Sequence, residues 1–119
     1  MRKLAAVVSI VLICALAFAG WTLAAGDAAK GKAAFQQYCS GCHGVTGKGD
    51  GAMGAALNPK PKDLSSKAFN ASLKDDYLVK LINEGGQAVG KSPLMPKLGD
   101  ALKGDQVQDL VAFLRSLAK

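Results

Sequence analysis

The sequence predicts an all-α domain, on three observations. Apolar residues recur at helical spacing in three separate stretches. No stretch reads as a convincing strand, and there is no internal repeat or low-complexity tract. The joints between the helical stretches are rich in glycine and proline, which break helices. The chain has 119 residues. Setting aside an N-terminal segment leaves enough for one small domain, whose modest core calls for a staple of some kind.

That segment opens with Arg2 and Lys3, and no charge follows from Leu4 to Ala25. Leu4 to Phe18 has the length of a signal-peptide core, and small residues follow at Ala17, Ala19, Ala24 and Ala25. Residues 1–25 are therefore expected to be a signal peptide, cleaved after Ala25 or alternatively after Ala24 or Ala19, with residues 26–119 as the domain. The competing reading is an uncleaved N-terminal membrane anchor. At about 1.5 Å per helical residue, Leu4 to Ala25 would cross a hydrocarbon core of about 30 Å, with Trp21 near its outer end. Both readings place the domain in the periplasm or on the periplasmic face of the inner membrane. Cys14, preceded by the bulky Ile13, reads as a small hydrophobe and not as a lipoprotein cysteine.

Asp27 is a plausible N-cap for a first helix over Ala28 to Tyr38, with Ala33, Ala34, Phe35 and Tyr38 on it. Gly31 costs such a helix about 1 kcal/mol relative to alanine. It shares a face with Phe35 four residues on, so a second helix could cross closely there. Five glycines lie between Gly44 and Gly54, and Pro59 and Pro61 extend that loop. Ser72 with Asp75 has capping-box spacing ahead of Tyr77, Leu78, Leu81 and Ile82, and Gly85-Gly86 should end that helix. A second loop passes through Gly90, Pro93, Met95 and Pro96. The last helix, about Gly104 to Ala118, carries Val107, Leu110, Val111, Leu114 and Leu117 on one stripe beside Phe113. Asp105, Arg115 and Lys119 suit its dipole.

Cys39-Ser40-Gly41-Cys42-His43 is the order that covalent attachment of a c-type haem requires. Two thiols three positions apart can each add across a haem vinyl group while the next residue brings an imidazole to the iron. A closed zinc site needs four ligands, and beyond residue 30 the chain has only these two cysteines and one histidine. A dithiol oxidoreductase needs a preceding strand and a βαβ setting, whereas the flanks here read as helix and glycine-rich loop.

With His43 the sole histidine, two-histidine axial ligation within one chain is excluded. Met1 belongs to the N-terminal segment, which leaves Met53 and Met95 for the sixth position. Met53 follows His43 by only ten residues, in the loop that must wrap the histidine side. Met95 lies on a separate loop stiffened by Pro93 and Pro96, and the sequence order favours it. A His/Met pair raises the reduction potential.

These residues resemble the class I cytochrome c family, in particular its small bacterial monohaem members, over residues 27–119. The resemblance rests on Cys39, Cys42 and His43 after a short helix, the stretch Gly47-Lys48-Gly49-Asp50-Gly51 through Asn58-Pro59-Lys60-Pro61, a middle helix, Met95-Pro96, and a closing amphipathic helix. It implies three to five helices around one covalently bound haem c. It also implies a crossing of the first and last helices at Gly31 and Phe35, with Leu110 and Phe113 as the facing pair. It strengthens Met95 as the iron ligand opposite His43, and it implies a loop carbonyl that accepts the His43 Nδ1–H. Many relatives have a proline directly after Gly-Asp-Gly, where this chain has Ala52.

No carboxylate pair or nucleophile–base pair stands out, and His43 is taken by the iron. The expected function is therefore electron transfer and not catalysis: a one-electron carrier in a periplasmic or membrane-associated electron-transport chain. The alternatives are a membrane-anchored haem subunit of a larger oxidoreductase, or a small-ligand-binding haem sensor if Met95 does not bind. Without residues 1–25 the chain has 13 Lys and Arg against 9 Asp and Glu. Lys30, Lys32, Lys48, Lys60, Lys62, Lys91 and Lys97 flank the segments expected around the haem. They are either ordinary solvated surface or a rim that steers acidic redox-partner proteins. Nucleic acid is not an expected partner, since no arginine cluster is present, and the expected state is a monomer.

Overall fold

The computed structural model describes residues 26–119, so Cys14, Trp21 and the proposed cleavage sites lie outside the described residues. Among the described residues five α-helices follow one another: α1 (Ala28–Tyr38), α2 (Ser40–His43), α3 (Lys67–Ser72), α4 (Asp75–Glu84) and α5 (Gln106–Ser116). Single 3-10 turns occur at Gly54–Ala56 and Gln87–Val89. Among the described residues there is no strand, and no helix is long and apolar enough to cross a membrane.

Helix α1 begins as its sequence dictates. The Asp27 carboxylate accepts the Ala29 and Lys30 backbone N–H groups at 2.9 and 3.2 Å, satisfying two of the orphan donors of the first turn. Gly31, Ala34 and Phe35 are the buried face, and they pack on α5. The contact at Gly31 is backbone to backbone: a Cβ there would stand 2.5 Å from the Asp109 carbonyl carbon and 2.9 Å from Phe113 Cβ. Four residues on, the Phe35 and Phe113 rings meet with centroids 5.1 Å apart and planes tilted by 55°, a favoured aromatic geometry. Leu110 is fully buried in the same core.

Asp109 has a second role. Its buried carboxylate accepts the Asp27 N–H at 2.7 Å, tying the start of α1 to α5 across 82 residues of sequence. Helix α4 contributes Leu78 and Ile82 to the core, with Leu102, Val107, Val111 and Leu114 completing it.

Two boundaries depart from expectation. Ser72 does not cap α4. It is the last residue of α3, and its hydroxyl donates to the Phe69 carbonyl at 2.6 Å. Lys74 is the N-cap of α4 without a side-chain cap bond, and Asp75 and Asp76 form the acidic first turn. Helix α3 itself, capped by Ser66, lies in a stretch read as loop. It is held by Asn70, whose Nδ2 donates to the Leu64 and Leu114 carbonyls at 3.0 and 2.7 Å. Arg115 reaches over from α5 to donate to the Leu73 carbonyl and, at 2.6 Å, to Asp75.

Candidate functional site

The site is built outward from the end of α1. Cys39 caps α1 and at the same time opens the single turn α2, so Cys39, Cys42 and His43 stand at i, i+3 and i+4 of a helical turn and share one side. The His43 N–H donates to the Cys39 carbonyl at 2.9 Å. The glycine-rich loop then folds back on this turn: Gly49 N–H donates to the His43 carbonyl at 2.8 Å and Met53 N–H to the Gly41 carbonyl at 2.9 Å. Phe35 links the turn to the helix crossing, with its ring centroid 6.4 Å from that of His43.

Cys39, Cys42, His43 and Met95 all border one cavity of about 900 Å³, roofed by Tyr77 and Leu81 from α4 among others. That volume is in the upper part of the range of about 300–1,000 Å³ for cofactor sites. Met53 borders it too, but its sulfur lies over Gly41, on the Cys39–His43 turn itself, and the residue is 65% exposed. Met95 is half-buried and comes from the loop after α4.

The chemistry of the donors fits a covalent porphyrin. Both cysteines are free. Burial, reinforced by the neighbouring Cys42, pushes the Cys39 thiol up to about 11, so it is an S–H at neutral pH. A disulfide oxidoreductase requires the opposite, a thiol pushed down toward thiolate. Burial lowers His43 below the ordinary histidine range, which keeps its imidazole neutral and a lone pair free for metal. The expected loop carbonyl for its Nδ1 is not found: that nitrogen is buried with no protein partner. Among the described residues no group of three or more His, Cys, Asp or Glu could hold a bare metal ion. A cavity lined by apolar side chains, two free thiols and one neutral imidazole suits iron already carried in a macrocycle.

The lysines separate into two sets. Lys60, Lys62 and Lys91 border the cavity, joined by Lys74, which sequence reading missed because it stands at the start of a helix misplaced by two residues. Lys30, Lys32, Lys48 and Lys97 do not border it, and Lys97 is paired with Asp100 at 2.9 Å.

Sequence comparison matches residues 28–118 to the cytochrome c family. Among solved structures, the KustC0563 c-type cytochrome is similar with a TM-score of 0.59 and 24% identity, the match covering 75% of this chain and 98% of that one. No curated protein matches the chain. The structural likeness speaks for the fold, and the family match spans most of the chain: the protein belongs to the cytochrome c family. It is accordingly a haem electron-transfer protein and not an enzyme, with covalently bound haem c and its iron as cofactor.

Proposed function

We propose that this member of the cytochrome c family is a monohaem one-electron carrier of a periplasmic or membrane-associated electron-transport chain, in which Cys39 and Cys42 would hold the haem and His43 and Met95 would bind its iron. The observation that carries this reading is that one cavity collects these four side chains from two separate parts of the chain.

Cys39 and Cys42 would hold the haem covalently, each by addition of its S–H across a vinyl double bond, sulfur to one carbon and hydrogen to the other, with no leaving group and no net redox change. Bound haem supplies one-electron exchange at its iron, and a His/Met ligand pair favours the ferrous state and so raises the potential. The neutral His43 imidazole offers its lone pair without first losing a proton. Met95 supports the sixth-ligand reading by its separate loop. Met53 is tied by its own N–H to Gly41 inside the attachment turn. Phe35, Leu78, Leu81 and Leu110 border the cavity with apolar surface that keeps water from its inner wall. Exposed Lys60, Lys62, Lys74 and Lys91 at the cavity border are suited to steer an acidic partner.

Residues 1–25 act in this reading as the export segment, either cleaved after Ala25 or retained as an anchor to the periplasmic face of the inner membrane. Absorbance tests the ligand set. The oxidised protein should show a sulfur-to-iron charge-transfer band that Met95→Ala removes and Met53→Ala leaves. The reverse pattern, or high-spin iron that binds carbon monoxide readily in the wild type, would overturn it. Intact mass of protein from its native host reads haem addition and the fate of residues 1–25 together. An unmodified, colourless mature chain would leave the carrier reading without support.

A further inference from the structure

The backbone around Gly86 is arranged as a seat for the turn that carries Met95. Gly86 N–H donates to the Met95 carbonyl at 2.9 Å, while the Gly86 carbonyl accepts Lys91 N–H at 2.8 Å and Val89 N–H at 3.1 Å. Both faces of this one residue are therefore engaged by the loop, on the two sides of the Ser92-Pro93-Leu94-Met95 turn. The turn is closed by Met95 N–H to the Ser92 carbonyl at 3.2 Å and by Leu94 N–H to Ser92 Oγ at 3.2 Å. Beyond Met95 the chain is fastened to the end of α4, Leu98 N–H donating to the Ile82 carbonyl at 2.9 Å and Gly99 N–H to the Asn83 carbonyl at 3.1 Å. These are carbonyls that the last turn of a helix leaves unpaired.

Gly86 is not required for its backbone angles, since φ −64° and ψ −38° lie in the helical region open to any residue. It is required for space. A Cβ at this position would overlap the Ser92 carbonyl oxygen and stand 3.1 Å from both the Ser92 carbonyl carbon and Met95 Cβ. No side-chain rotation relieves an overlap with a backbone carbonyl, and that carbonyl is itself held by the Met95 N–H. The whole turn, and Met95 with it, would have to move.

We propose that Gly86 is a positioning residue for the Met95 sulfur: its bare α-carbon lets the Ser92–Met95 turn seat directly on the end of α4 and so sets the depth at which the thioether enters the cavity. This rests on Met95 being the sixth ligand. A functional constellation tolerates displacement of only about 0.5 Å, less than removing the Ser92 overlap demands. Gly90 is the natural control. It lies in the same loop at φ 71°, where an added Cβ would meet nothing within 4 Å.

The test compares full-length holoproteins carrying Gly86→Ala, Gly90→Ala and Met95→Ala. Gly86→Ala should retain two thioethers by mass yet lose most of the sulfur-to-iron charge-transfer band, with a lower reduction potential. Its reduced form should bind carbon monoxide tighter than wild type by about tenfold or more, a loss in keeping with a displacement of about 1 Å. Gly90→Ala should keep the band. If Gly86→Ala keeps the wild-type band, potential and carbon monoxide affinity while Met95→Ala loses the band, the seat is refuted and the ligand reading survives. Should Met95→Ala keep the band, the ligand reading fails and the seat with it. Equal loss in Gly90→Ala and Gly86→Ala would also refute the seat, because any strain in the loop would then suffice.

If Gly86→Ala yields no holoprotein, amide exchange in the wild type decides. Displacing the sixth ligand with imidazole should speed exchange at Gly86 by about tenfold or more and leave Leu114 unchanged. An unaltered Gly86 rate would overturn the proposal.

Discussion

Replacing Gly31 with alanine sets two effects of known sign against each other. Alanine favours the α1 backbone by about 1 kcal/mol over glycine. Against this, its methyl group would lie 2.5 Å from the Asp109 carbonyl carbon and 2.9 Å from Phe113 Cβ, where carbon pairs prefer about 3.5–4.0 Å. Relief requires α1 and α5 to separate by about 1 Å, and a gap of that size forfeits a quarter to a half of the dispersion attraction between the atoms it parts. The Phe35–Phe113 pair lies one turn away along the same crossing, so the loss extends beyond residue 31. Overpacking of this kind costs about 1–3 kcal/mol, and the upper end applies because the obstacle is backbone. The net expectation is a destabilisation of about 1–2 kcal/mol, or a fall in Tm of about 5–15 °C for a domain of this size. Thermal and denaturant unfolding of the holoprotein, followed by far-ultraviolet circular dichroism, measures it. A Tm equal to or above wild type would show that helix propensity outweighs the close crossing, and would refute the claim that Gly31 is needed for space.

Asn70→Ala should cost about 1–2 kcal/mol, because the half-buried Leu64 carbonyl loses its donor and the buried Leu114 carbonyl is left with Leu117 N–H alone; a Tm within about 3 °C of wild type would contradict this. Leu110→Ala, at a residue 1% exposed, should lose about 2–5 kcal/mol by the same measurement, and a loss below this range would mean the site collapses. Asp63 is held below its ordinary 3.8 by the Ser65 hydroxyl and then by the backbone N–H groups that bond it. A carboxylate lowered on folding contributes stability above pH 3.8 that is lost as pH falls through the lower, folded value. Asp63→Asn should therefore flatten the fall of Tm below about pH 4, and an unchanged profile would remove Asp63 from the acid response.

How far the fold could be read from sequence depends on whether each signal is local. Helix α1 runs over the residues predicted for it, because its cap and its apolar face both lie within one short stretch. Helix α5 is shorter by about a turn than the apolar stripe suggests, since Gly104 adopts φ 57° and the Asp105 side chain makes no cap bond. Helix α3 has no legible stripe in its six residues. It exists through Asn70 and Arg115, whose partners lie more than 40 residues away in the sequence. The Ser72–Asp75 spacing misled for a related reason: a serine hydroxyl can bond a carbonyl behind it as readily as an amide ahead, and here the Phe69 carbonyl takes it.

The Cys39–His43 turn stood out in the sequence for a different reason, that the residues proposed for attachment are compressed into five consecutive positions. The far side of the cavity did not. Met95 could be singled out by elimination and sequence order, but what holds it in place is a set of backbone contacts among Gly86, Lys91, Ser92 and Met95, and such contacts leave no trace in residue type except the glycine that makes room for them. Gly85-Gly86 read in sequence as a helix stop. The structure divides that pair by conformation: Gly85, at φ 85°, ends α4 and also lies close against the Met95–Lys97 backbone, while Gly86 has helical angles and is needed only for its missing side chain. The same residue type thus answers two different physical demands in adjacent positions. Alanine at Gly86 tests space alone, whereas alanine at Gly85 adds left-handed backbone strain to a Cβ that would stand 3.0 Å from the Met95 carbonyl oxygen; both variants should weaken the sulfur-to-iron band, and only Gly85→Ala should also disturb the end of α4.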